Sequence, residues 1–255
     1  MSYFVYDEKN VYYSETGTGK PLLLLHGNTA SSKMFEQIAK EYSKEFKVIL
    51  IDFLGHGRSD RLEVFPADLW YYEAQQVIAF LKQMQYTDVN IIGSSGGAMV
   101  AINVALEAPE LISKVIADSF EGEKANAVFT QNLLTDRENA KKDKNAQGFY
   151  EHIHGNDWEN IVDNDTDAII RHQKEIGDFF HKPISELKAN IFLTGSKEDK
   201  FMYSISGDYY EKVYGDILTK LGRGKMHLFS HGDHPAMMSC FGEFYPLSME
   251  FLLKS

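Results

Sequence analysis

The chain of 255 residues holds a single cysteine, Cys240. An internal disulfide is therefore excluded, and the composition suits a reducing compartment. Long apolar runs are missing too; none approaches the roughly 20 residues that span a bilayer as a helix. Residues Met1 to Asp7 carry neither the basic nor the apolar region of a secretory signal. A cytoplasmic location is the expectation. Basic residues are outnumbered: 26 Lys and Arg stand against 37 Asp and Glu, for a formal charge of −11. That balance argues against nucleic acid or membrane as partners, since both attract proteins through cationic side chains. No internal repeat or low-complexity tract occurs. What remains is ordinary for a globular chain, 44% hydrophobic and 25% charged. It is long enough for one large domain, or one domain with an inserted lid.

Short apolar runs alternate with helical patterns. Residues 4–13 alternate apolar and polar around Asp7-Glu8-Lys9-Asn10, as an antiparallel hairpin does. Gly17-Thr18-Gly19-Lys20 lacks the spacing of a phosphate loop and precedes a strand, so it reads as a turn. Leu22 to Leu25 suits a strand covered on both faces, followed by His26-Gly27-Asn28. A helix over about 34–46, a strand at 48–51 and the glycine-rich loop Asp52 to Asp60 come next. A helix follows over about 68–85. Then a strand leads into Gly93-Ser94-Ser95-Gly96-Gly97, and a helix runs to about Ala108. Val115-Ile116-Ala117 is a strand ending at Asp118. From about 120 to 182 no buried strand is visible; charges and scattered aromatics suggest a helical lid. The alternation resumes with strands at 190–194 and 226–229. The terminal helix is expected to break at Pro246.

Gly93-Ser94-Ser95-Gly96-Gly97 fits G-x-S-x-G, the pattern of a serine on a sharp strand-to-helix turn. The small flanking residues let neighbouring backbone approach, and the helix N-terminus favours developing negative charge. Strand–helix alternation implies a mostly parallel sheet with helices on both faces. Together, His26-Gly27-Asn28, Gly55-His56-Gly57-Arg58-Ser59, the Ser95 turn, Gly195 to Asp199 and Gly232-Asp233-His234-Pro235 resemble the α/β-hydrolase fold superfamily. Each piece follows its own strand, in the order Ser…Asp…His.

The resemblance implies a helical lid inserted after the sixth strand. The hydrolase core would then comprise residues 1–119 and 183–255, with the lid at 120–182. It implies Ser95 as nucleophile and His234 as base, with His231 the rival three residues earlier. It implies Asp199 as the acid, with Glu198 and Asp118 as alternatives. The oxyanion donors would be the backbone N–H groups of Asn28 and Gly96. No metal or organic cofactor is implied. His152 and His154, and His227, His231 and His234, have spacings that could hold a metal, but nine histidines make such pairs common by chance. The expected activity is hydrolysis of a small carboxylic ester through an acyl-enzyme. Carbon–carbon cleavage, elimination and amide hydrolysis use the same residues, and a non-catalytic ligand-binding member is the alternative outside enzymes. The lid is locally acidic, with Asp157, Glu159, Asp163, Asp165 and Asp167 uninterrupted by Lys or Arg. If that face borders the entrance, it should disfavour anionic substrates.

Overall fold

In the computed structural model, which describes residues 2–254, eight strands form one sheet. They are β1 Ser2–Tyr6, β2 Lys9–Thr16, β3 Lys20–Leu25, β4 Phe46–Ile51, β5 Val89–Ser94, β6 Ile112–Asp118, β7 Asn190–Ser196 and β8 Lys225–Phe229. Their spatial order is β1-β2-β4-β3-β5-β6-β7-β8. β2 runs antiparallel to β1 and β4; every other pairing is parallel. The β1–β2 hairpin turns at Asp7 and Glu8, both at positive φ, as a tight turn matched to strand twist demands.

Parallel strands need crossovers, and helices supply them. They are α1 Glu36–Tyr42, α2 Leu69–Gln83, α3 Gly96–Glu107, α4 Ala127–Ala140, α5 Lys144–His154, α6 Trp158–Glu175, the short α7 Lys200–Tyr203, α8 Tyr209–Leu221, α9 Ala236–Ser239 and α10 Phe241–Leu253. Alternate residues of each strand feed two separate cores. Leu22, Leu24, Val48, Leu50 and Ile92 pack under α1 and α10. Leu23, Leu25, Ile49, Ile51 and Ile91 pack under α2, α3 and α8. The four leucines of β3 are fully buried, as a central strand covered on both faces requires.

The chain leaves β3 for β4 on one side and returns to β5 on the other. The carboxyl ends of β3 and β5 therefore flank the point where the winding reverses, the usual crevice of an open α/β sheet. His26-Gly27-Asn28 and Ser95 sit there. Between β6 and β7 lie α4, α5 and α6 and no strand of the sheet.

One expectation fails. Pro246 lies inside α10 without breaking it. A mid-helix proline costs about 3 kcal/mol. Phe244 and Leu252 hold the helix on both sides of Pro246 by burying against the sheet core, and Ser248 bonds the Tyr42 hydroxyl of α1. Burial of this order outweighs the lost hydrogen bond.

Candidate active site

Close packing dictates the turn at Ser95. A Cβ on Gly93 would stand 2.1 Å from the Gly97 carbonyl oxygen, and one on Gly97 would stand 2.2 Å from that of Leu25. Only glycine fits either place. Ser95 itself takes φ 54° and ψ −121°, a conformation costing about 1–3 kcal/mol that the packed turn enforces. Its N–H donates to the Asp118 carbonyl at 2.8 Å, anchoring the turn on the neighbouring strand.

The imidazole of His234 reaches the turn from the loop after β8. Its Nε2 lies 2.9 Å from Ser95 Oγ, and its Nδ1 lies 2.8 Å from Asp199 Oδ2. Asp199 is buried and fully engaged. Its Oδ1 accepts the Phe201 N–H at 3.0 Å, capping α7, and its Oδ2 also accepts the Tyr210 hydroxyl at 2.7 Å. Burial pulls the His234 pKa down, but the Asp199 carboxylate, with smaller help from Asp118 and Asp233, pushes it above the ordinary value.

The other candidates lie elsewhere. His231 is exposed and faces Glu243 at 3.2 Å. Glu198 is exposed. Asp118 is buried but points into the loops: it accepts Thr194 Oγ1 at 2.7 Å and the Met237 N–H at 2.9 Å. Burial lifts its pKa to about 6 against these bonds. His152 and His154 do not converge. His154 Nδ1 accepts the Gly57 N–H at 3.0 Å, and its Nε2 donates to the Thr29 carbonyl at 3.0 Å. Burial keeps it neutral, with a pKa of about 3.

The N–H groups of Asn28 and Gly96 have no acceptor among the described residues. The Asn28 side chain is clamped at both ends. Trp70 Nε1 donates to its Oδ1 at 3.1 Å, and its Nδ2 donates to Asp165 Oδ2 at 3.1 Å. Asp165 comes from α6. The same oxygen accepts the Thr29 N–H at 3.0 Å and faces His56 Nε2 at 3.3 Å. Burial works to raise the Asp165 pKa, yet His56 and Arg137 hold it below the usual value. Thr29 needs that hold, because its φ is 51°.

Ser95, His234 and Asn28 line a cavity of about 320 Å³. Its wall is mostly apolar, including Met34, Trp70, Met99, Phe120, Phe129 and Phe201. Two charged-type side chains interrupt it, Glu121 and Arg137. A serine bonded to an imidazole that a carboxylate orients, beside free N–H donors, is an arrangement able to attack a carbonyl and stabilise the oxyanion. The acidic run of α6 does not face this space as a charged rim. Asp157 pairs with Arg61 at 2.7 Å, Asp163 with Lys141, and Asp167 with Arg171 at 2.7 Å, while Asp165 is buried.

Sequence reasoning missed Tyr210, Asp165, Arg137 and Glu121. Asp165 had a signal. It falls on the stripe Ile161, Val162, Asp165, Ala168, Ile169, the buried face of an amphipathic helix.

A family model described as alpha/beta hydrolase fold matches residues 20–161, more than half of the chain. The protein belongs to that family. It is similar to the 2-hydroxy-6-oxo-6-phenylhexa-2,4-dienoate hydrolase of Comamonas testosteroni, with 23% identity over 267 residues, 95% of this chain and 91% of that protein. An sn-1-specific diacylglycerol lipase of Xenopus laevis is 33% identical over 109 residues. That match covers 41% of this chain and 33% of the lipase. Among solved structures, a carboxylesterase of Nitrososphaera gargenis superposes with a TM-score of 0.78 at 16% identity, covering 98% of this chain and 97% of its own. An alpha/beta hydrolase enzyme from a Medee basin deep-sea metagenome gives 0.76 at 20%, covering 100% and 98%. At such identities the likeness to solved structures is one of fold. No helix among the described residues is long and apolar enough to cross a membrane.

Proposed function

We propose that the protein is a serine hydrolase of small carboxylic esters, with residues 120–182 as a lid over a core formed by 1–119 and 183–255. The hydrogen-bonded chain Ser95–His234–Asp199, opening into an apolar cavity, carries this reading. Ser95 Oγ attacks the carbonyl carbon while His234 Nε2 takes its proton. The oxyanion forms beside the Asn28 and Gly96 N–H groups. His234 then returns the proton to the leaving alcohol, giving an acyl-enzyme. Water repeats the sequence, releases the acid and restores Ser95. Asp199 holds the imidazole in the required tautomer and supports its charge.

The test is a series of p-nitrophenyl esters of graded chain length with fluorophosphonate labelling. Turnover and labelling are expected, and both should vanish in Ser95→Ala. A wild-type protein that neither labels nor turns over any ester would return the fold to a binding role. Carbon–carbon hydrolysis is the second reading, supported by the full-length similarity to the Comamonas enzyme. Cleavage of a 2-hydroxy-6-oxo-dienoate faster than any ester would select it.

A further inference from the structure

The acidic run of α6 pointed away from anionic substrates, but the cavity wall carries the opposite sign. Arg137 lies on the inner stripe of α4, with Thr130 and Leu133, and is only 9% exposed. Its guanidinium makes no hydrogen bond to any described residue, and Nη1 is buried without a partner. The nearest carboxylate, Asp165, offsets the charge as an ion pair, but its Oδ1, itself without a hydrogen bond, stands 3.8 Å from Nη2, too far to accept one. Asp165 has committed its other oxygen to Asn28, Thr29 and His56. A buried guanidinium with its donors unspent is costly, and a planar, bidentate carboxylate is the group that best fills such a fork.

We propose that Arg137 is the anion-binding subsite of this cavity, and that the substrates are esters carrying a free carboxylate on an otherwise apolar chain. The second charged-type group on the wall does not oppose this. Burial lifts the Glu121 carboxyl to about 8, so it is neutral at pH 7, and its Oε2 is unpartnered. The remaining wall is apolar and suits a hydrocarbon linker between ester and carboxylate. The inference rests on the same cavity being the substrate site of the proposed hydrolase.

The deciding measurement is separated from turnover. Ser95→Ala protein is titrated calorimetrically with monomethyl esters of succinate, glutarate, adipate and pimelate, and with the neutral primary amide of each. At one chain length the carboxylate should bind about ten- to hundredfold tighter than its amide. Adding Arg137→Gln should bring the pair within about twofold, and Arg137→Lys should retain part of the preference. Carboxylates no tighter than amides at every length would overturn the subsite. So would an Arg137→Gln protein that weakens both ligands equally. If Arg137→Gln does not fold, the carboxylate–amide comparison in the Arg137 protein still decides. A wild type that binds the half-esters tightly, yet neither hydrolyses their p-nitrophenyl counterparts nor labels with fluorophosphonate, would sink the hydrolase reading and leave the anion subsite standing.

Discussion

The two sides of the cavity are built on opposite principles. The sheet side presents Ser95, His234 and Asp199 from loops at strand ends, held by dense apolar packing beneath. The α4–α6 side sends polar groups inward instead: Arg137, His154, Asp165 and His172 are all buried there. Three of them, His154, Asp165 and His172, bond backbone of the loops after β3 and β4. The proposed chemistry is therefore placed by the sheet, while the shape of the Asn28 loop is shared with the helices above it.

The contrast breaks first at Ser95, the proposed nucleophile. Ser95→Ala should lower ester kcat by about 10⁴- to 10⁶-fold. His234→Ala should cost about as much, and the double variant little more, because the residues act as one unit. Melting temperature should move by only a few degrees. Additive losses would mean that the two side chains do not act together.

The next cut lies within the sheet side. Asp199 and Asp118 are both buried carboxylates near His234, yet only Asp199 touches the ring. Asp199→Ala should lower kcat by about 10⁴-fold. Asp118→Ala should cost about 1–3 kcal/mol of stability, read by urea unfolding, because Thr194 and Met237 lose their acceptor. Its kcat should stay within about tenfold of wild type. The reverse pattern would move the acid to Asp118.

The helical side is tested at Asp165. Replacing it with Ala strips the acceptor from Asn28 Nδ2, the Thr29 N–H and His56 at once. A stability loss of about 3–5 kcal/mol is expected, as for other broken buried ion networks. Asp165→Asn keeps the shape and should show the functional part, a kcat loss of about ten- to hundredfold with KM less affected, if Asn28 is an oxyanion donor. An unchanged kcat would separate the helices from the chemistry. The depressed pKa of Asp165 gives a second readout. Its stabilisation is present above the unfolded value near 3.8 and is lost as pH falls through the lower folded value. The Asn variant should therefore lose part of the acid sensitivity of unfolding.

The same division explains what could be read without coordinates. β3 shows itself because four consecutive leucines cannot face water, and Ser95 because glycines at 93 and 97 answer a contact of about 2 Å. Asp199 competes with Glu198, since adjacent acids in a loop differ only in where their side chains turn, and with Asp118, since β6 ends beside β7 at the same edge of the sheet. Arg137 was hidden for another reason. It stands in Asp136-Arg137-Glu138-Asn139-Ala140-Lys141-Lys142, a stretch that reads as a solvated face, and only the packing of α4 against α6 turns it inward. Pro246 reads as a break on local propensity alone, and the burial of Phe244 and Leu252 carries α10 through it.

The smallest effect separates the two sides most cleanly. His234 must be neutral to accept the Ser95 proton, so ester kcat/KM should fall on the acid side through its pKa. Burial alone would place that limb below the ordinary histidine value of about 6.5. Asp199, then Asp118 and Asp233, reverse the sign, so the limb should lie above it. For folding, the raised value means stabilisation that is complete below the unfolded pKa and lost as pH rises through the folded one. Asp199→Asn keeps an oxygen near Nδ1 without the charge and should move the limb down in the residual activity. Asp233→Asn should move it less. Asp165→Asn should lower the rate without moving the limb, because Asp165 is not among the principal groups that set the His234 pKa. A wild-type limb at or below 6.5 would mean that burial, and not the Asp199 carboxylate, sets the His234 pKa. A limb that shifts with Asp165 would show that the helices above the cavity tune the base as well as the loop, and the division between the two sides would no longer hold.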